Sequence, residues 1–146
     1  MMLLDIIAVG RIKERSLAER CDEYRKRLGA YAKIQLVEVA DGDVPSEGAA
    51  ILRELDRERH TEVVALSEEG REFTTAEFAA RLAAADEKLV FVIGGPFGLA
   101  PEVKARARLI WSLSRLTFTH EMARMLLLEQ LYRCCNLNAG GSYHHR

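Results

Sequence analysis

The sequence closes on Tyr143, His144, His145 and Arg146. They are a ring that can stack, two imidazoles that titrate near neutral pH and a guanidinium that pairs with phosphate. Such a set can move a proton beside a nucleic-acid backbone, though terminal residues are also commonly just loose. Upstream, Glu129 and Arg133 stand four residues apart, so on a helix they share a face and can pair, and Arg124 lies five residues before Glu129. On a solvated surface that pair would be worth only about a few tenths of a kcal/mol.

Two further stretches carry candidate chemistry. In "VFVIGGPFGL" a dense apolar run, Val90 to Ile93, stops at Gly94 and Gly95, and Pro96, Phe97 and Gly98 follow. The spacing fits neither G-x-G-x-x-G nor a P-loop, so a phosphate cradle is not supported. Either a tight turn with glycines at positive φ or a close approach of backbone to a ligand accounts for the glycines. In "SLSRLTFTHE", Ser112 to Glu121, hydroxyl residues interleave with apolar ones around Arg115. Extended backbone there can offer N–H and C=O groups to a flat heterocycle, or form an edge strand that ends at a helix capped by Thr119. No Ser-His-Asp order, no HExxH and no paired-carboxylate motif of a hydrolase occurs.

The elements that must position these residues alternate strand and helix. Leu3 to Val9 reads as a strand ending at Gly10, followed by a helix from Ser16, in a capping box with Glu19, to Leu28 and Gly29. Ile34 to Val39 is a second strand, and Ser46 is expected to cap a helix to about Arg59. Glu62 to Ser67 is a third strand, with "EEGRE" as a turn. Thr74 and Glu77 form a capping box ahead of "AEFAARLAAAD". Pro101 suits the first position of the next helix, "WSLSRLTF" is strand-like, and the longest helix runs from His120 to about Leu137. Its apolar stripe, which includes Met122, Met125 and Leu126, is wider than one buried face needs and points to a second contact such as a subunit interface. The pattern predicts a single-domain α/β fold with a mostly parallel sheet and helices on both faces. Ligands of such sheets bind at the carboxyl ends of the strands, two of which are Leu66-Ser67 and Gly94-Gly95.

Composition is consistent with that reading. The chain has 146 residues, 29% charged and 49% hydrophobic, and no apolar run nears the roughly 18 residues of a membrane span. The start carries its basic residues after the apolar stretch, unlike a secretory signal. Cys21, Cys134 and Cys135 lack metal or disulfide spacing, so reduced thiols that pack in a core and a cytoplasmic location are expected. Net charge is −1, but residues 1–99 carry 14 basic and 19 acidic groups and residues 100–146 carry 7 and 3, with three of the four histidines. Positive potential therefore concentrates in the last third, as a polyanion partner requires.

Taken together and in order, "LLDIIAVGRIKE", "VFVIGGPFGL", "SLSRLTFTHEMARMLLLEQLYR" and the terminal "YHHR" resemble the ribosomal large-subunit methyltransferase H family, SPOUT-class enzymes that methylate N3 of a pseudouridine in large-subunit ribosomal RNA. The resemblance runs from the first strand to the last residue. It implies S-adenosylmethionine as methyl donor, no metal, and a trefoil knot in a cofactor-binding part at about 62–146. It also implies a homodimer whose active site draws on both subunits. The donor-binding positions it implies are Leu66, Gly94, Gly95, Gly98, Leu113, Ser114, Arg115, Leu116, Thr117 and Phe118. At the RNA-facing site it implies Arg124, Glu129, Arg133, Tyr143 and His144. In that scheme His144 takes the proton, Arg133 stabilises charge, Glu129 orients Arg133 and Tyr143 stacks on the base, with the tail ordered only when RNA or donor is bound. Phe97 and Thr119 depart from the family pattern, in which the first position is often acidic or small and the second often proline. Phe97 would narrow or cover the donor pocket, and Thr119 would loosen a turn. With no stretch that reads as an added RNA-binding domain, recognition is expected to depend on the folded ribosome. The alternatives are a SPOUT methyltransferase acting on transfer RNA and a non-catalytic ribosome-binding module.

Overall fold

The apolar run that opens the chain forms strand β1 (Met2–Val9), and its side chains alternate between two cores. Leu4, Ile6 and Ala8 join one, whereas Ile7 and Val9 join the other. A computed structural model describes residues 1–145; Arg146 and the phosphate contact expected of it lie outside the described residues. The remaining strands are β2 (Ala32–Val39), β3 (Thr61–Glu72), β4 (Lys88–Ile93) and β5 (Leu109–Ser112). They pair in parallel in the order β2-β1-β4-β3-β5. Helices α1 (Arg15–Leu28), α3 (Thr75–Ala83) and α5 (His120–Asn138) cover one face through Tyr24, Leu28, Phe78, Leu82, Leu127 and Leu131. Helices α2 (Val44–Leu55) and α4 (Pro101–Arg106) cover the other through Ile51, Leu55 and Val103. The architecture is the predicted one, and among the described residues no helix is long and apolar enough to cross a membrane.

Local expectations hold where a side chain has one obvious partner. Thr74 and Glu77 make the reciprocal capping box of α3, Pro101 opens α4, and Thr119 accepts from the Met122 N–H at the start of α5. Thr119 thus fixes the helix entry that it was expected to loosen. The three thiols are buried, and burial pushes Cys21 and Cys135 up to about 11 and Cys134 to about 12, as packing residues require.

Three expectations are corrected. Ser16 does not cap α1: Glu14 is the N-cap and accepts from the Ser16 N–H, while Glu19 pairs with Arg15. Ser46 does not cap α2, because Asp43 takes the Ser46 N–H and starts the helix three residues earlier; the helix ends at Leu55, short of Arg59. "EEGRE" is part of β3, which continues to Glu72 with a shift of register between Leu66 and Arg71, both opposite Trp111. Pairing with β5 overrides the local turn propensity. Gly70 makes that pairing possible, since a Cβ there would lie 2.4 Å from the Ile110 carbonyl oxygen.

Candidate active site

At the carboxyl ends of β3, β4 and β5 the chain leaves a cleft of about 780 Å³. Three separate segments wall it: Leu66–Glu69, Ile93–Leu99, and the stretch from Leu113 to Glu121 that links β5 to α5. All the predicted donor-binding residues except Arg115 line this one space. The loop after β5 is shaped by its own hydroxyls. Ser112 Oγ donates to the Ser114 carbonyl at 2.9 Å, and Ser114 Oγ accepts from the Leu116 N–H at 3.1 Å. Thr117 Oγ1 donates to Glu68 at 2.8 Å, tying this loop to the irregular part of β3.

The glycines of the loop after β4 serve different needs. Gly98, at φ 84°, adopts a left-handed conformation that favours glycine and closes a turn by donating to the Gly95 carbonyl at 3.0 Å. Gly94 and Gly95 have negative or extended φ. A Cβ on Gly94 would lie 3.0 Å from the Gly98 carbonyl group and the Leu99 side chain, and one on Gly95 would meet the Glu47 carboxylate at 3.0 and 3.1 Å. Gly94 and Gly95 line the cleft, and the space that their side chains would take is filled by the fold behind its wall. Phe97 stands at the tip of the turn, 85% exposed, opposite Leu116 at 71%.

A second cluster forms where the tail meets α5. Arg133 donates to Glu129 Oε1 through Nε at 2.9 Å and through Nη2. The two side chains are only 22% and 13% exposed, so the pair is partly buried and not a solvated surface bridge. Tyr143 donates its hydroxyl to the same Glu129 oxygen at 3.2 Å and lies 3.3 Å from the Tyr24 hydroxyl of α1. Burial, chiefly, and these neighbours raise the Tyr143 phenol, which stays protonated and able to donate. The hydrogen bond from Arg133 to Glu129 holds the guanidinium charge further upward. The Tyr143 ring already carries the Arg133 guanidinium 4.6 Å from its centroid and the Tyr132 ring at 4.8 Å. That engagement leaves it an anchor in place of the free stacking platform expected of it. His144 Nδ1 is buried with no hydrogen-bond partner among the described residues.

The tail folds back on α5 through contacts of its own. Gly140 turns the chain at φ 80°, and Gly141 passes so close to Asn136 that a Cβ would overlap its side chain. Asn136 then accepts the Tyr143 N–H at 3.1 Å, and Tyr143–His145 forms one 3-10 turn. Arg124 joins neither cluster. It is 3% exposed, binding Glu38 at 2.6 Å and the Gly10 carbonyl at 2.9 Å. Placing it at an RNA-facing site is corrected, because its face of α5 packs on the sheet. Sequence reasoning missed His120 and Glu121, which line the cleft, and Glu47, which backs it. Glu121 also accepts the Lys13 and Glu14 N–H groups, where an acid beside exposed donors at a helix start is a readable signal.

Comparison with known proteins agrees with this geometry. A family profile described as "Predicted SPOUT methyltransferase" matches residues 2–144. The chain is 43% identical over 152 residues to a protein of Gloeobacter violaceus named ribosomal RNA large subunit methyltransferase H, with 99% of each chain covered. It is 41% identical to a protein of the same name from Bifidobacterium animalis, over 98% of this chain and 99% of the relative. Among solved structures, a probable methylase family protein from Haemophilus influenzae superposes with a TM-score of 0.60 at 15% identity, over 96% of this chain and 69% of that one. The SpoU methyltransferase AviRb from Streptomyces viridochromogenes, solved with the cofactor AdoMet, superposes with a TM-score of 0.52 at 11% identity, over 95% of this chain and 59% of the other. These two likenesses speak to the fold alone.

Proposed function

The chain belongs to the SPOUT methyltransferase family, and from that premise we propose that it transfers a methyl group from S-adenosylmethionine to N3 of a pseudouridine in large-subunit ribosomal RNA, on the assembled ribosome in the cytoplasm. The observation that carries this reading is the cleft at the carboxyl ends of β3, β4 and β5, where three sequence-distant segments meet. Its volume of about 780 Å³ falls within the range of roughly 300–1,000 Å³ for small-molecule sites. Its lining of glycine backbone, apolar side chains and the carboxylates of Glu68, Glu69 and Glu121 suits a folded, flat, cationic donor better than a polyphosphate.

When bound, S-adenosylmethionine supplies a methyl carbon already activated by its sulfonium. The chain's own work is then to position the acceptor nitrogen in line and to remove one proton. N3 of pseudouridine is a weakly acidic imide, and His144 of the tail is the group that takes its proton. Arg133 stabilises the charge that develops as the N–H bond breaks. Glu129 holds Arg133 through Nε and Nη2, which leaves Nη1 to face the base. Tyr143 anchors the tail that carries His144.

The two halves are separated within one protomer. Ala123 lines the cleft, and Arg133 follows ten residues later, roughly 15 Å along the helix at 1.5 Å per residue. A homodimer that sets one protomer's tail beside its partner's cleft brings them together. The half-buried Met122, Met125 and Leu126 of α5 supply apolar surface for it. The walls of the cleft also support a trefoil knot in residues 62–146, since the segment leaving β5 returns beside the loop that leaves β4 before α5 packs on α1 and α3. Calorimetry on the pure protein should detect S-adenosylmethionine binding, and deleting residues 143–146 should leave that binding intact while abolishing methylation. Absence of binding to the intact chain would mark it as a ribosome-binding module, and loss of binding on truncation would overturn this division of roles.

A further inference from the structure

Glu47 is 4% exposed, and it is the one carboxylate among the described residues that is buried. A buried carboxylate is costly unless its environment stabilises it. Oε2 accepts the Gly42 N–H at 3.0 Å, and the residue sits in the first turn of α2, where the helix dipole favours negative charge. Both carboxylate oxygens lie against Gly95, at 3.0 and 3.1 Å from the position a Cβ would take, with Val9 Cγ1 at 3.3 Å completing the wall. Gly95 itself lines the cleft. One residue's backbone is thus all that separates Glu47 from the donor space.

The next residue makes the matching contact at the far end of the same loop. A Cβ on Gly48 would lie 2.7 Å from Ala100 Cβ, so helix α2 seats directly on the N-cap residue of α4. The pair Glu47-Gly48 therefore grips both ends of the segment Gly95 to Ala100, and Gly98 closes the turn between them by its bond to Gly95. Residues this close, and missing their own side chains, have no slack to absorb a shift of α2.

We propose that Glu47 is a positioning residue for methyl transfer: with Gly48 it clamps the loop after β4 from behind and so sets the shape of the donor pocket without touching the donor. This rests on the reading of that cleft as the S-adenosylmethionine site. A Cβ on Gly95 would press on the Glu47 carboxylate at 3.0 and 3.1 Å, so one of the two must give by a few tenths of an ångström, and the two positions are therefore coupled. Gly95→Ala drives a methyl group into the carboxylate and displaces the loop, and shortening Glu47 gives that methyl group room.

The test is calorimetric S-adenosylmethionine affinity and steady-state kinetics on the full-length protein, with thermal unfolding alongside. Glu47→Ala, which removes the contact behind Gly95 together with the bond to the Gly42 N–H, should weaken donor affinity about tenfold. KM for the donor should rise while kcat at saturating donor and KM for ribosomes stay put, and Glu47→Gln should restore most of the affinity. Gly95→Ala alone should lose more than tenfold, and Gly95→Ala with Glu47→Ala should bind better than Gly95→Ala by itself. Glu47→Asp, which withdraws the carboxylate by one methylene, provides the same rescue test if the alanine variant does not fold. Wild-type affinity in Glu47→Ala, or additive losses in the double variant, would overturn the clamp alone. No binding by the wild-type chain would overturn the donor site itself and the clamp with it.

Discussion

Glu129 is the most heavily used side chain in the tail cluster, taking Arg133, Tyr143 and Gln130 on two oxygens. Its role is to fix Arg133, so Glu129→Gln should lower the single-turnover methyl-transfer rate by about 10²-fold, the scale of losing a preorganised charge contact. Donor affinity measured by calorimetry should not change. Arg124 supports the opposite expectation. It joins α5 to β1 and β2 through Gly10 and Glu38, so Arg124→Met should cost about 2 kcal/mol in urea unfolding and leave the salt dependence of RNA binding as it was. A lower salt slope with unchanged stability would return it to the RNA surface. The sequence alone shows that Arg124, Glu129 and Arg133 share a helix. It does not show which way that helix is rolled, and the roll separates a buried clamp from a site residue.

Helix starts are where carboxylates matter to the fold. Asp43, Glu77 and Glu121 each accept backbone N–H groups, which holds their carboxyls below the ordinary range. Stability from a depressed carboxyl is complete above its unfolded value, about 4, and drains away as pH falls through the lower folded value. Asp5, raised mainly by burial, works in the opposite sense. Urea midpoints should therefore drop on acidification from about pH 6 to about pH 3. The deficit of Glu121→Gln against wild type should shrink over the same span, and a pH-independent deficit would contradict the assignment. Elements were legible where one residue type dictates them: the alternation in β1, Pro101 and the Thr74-Glu77 box. They were misread where a neighbour in sequence took the capping position, as Glu14 does by accepting the Ser16 N–H, or where a distant strand took over, as β5 does for residues 68–72. The clamp on the glycine loop had no local signal, because Glu47 is 48 residues from Gly95 and lies outside the motifs that carry the resemblance.

At the scale of the molecule, the proposed division of roles between cleft and tail, separated along α5, requires the proposed dimer. Mixing equal amounts of a cleft variant (Gly94→Val) and a tail variant (His144→Ala), each inactive alone, and allowing subunits to exchange should restore about a quarter of the sites, since half the dimers are mixed and each holds one intact pair. No recovery after proven exchange would place the whole site within one protomer. The order of motifs made the family legible from the first strand to the tail, whereas composition and periodicity reached no further than an α/β sheet, because a packed core looks the same whatever its loops bind. The most direct measurement is transfer of labelled methyl from S-adenosylmethionine by the purified protein into ribosomes from a strain lacking this gene, beside bulk transfer RNA, followed by nucleoside analysis. The account predicts label in large-subunit RNA as N3-methylpseudouridine and none in transfer RNA. Label in transfer RNA, or at another atom of the ribosomal base, would contradict it.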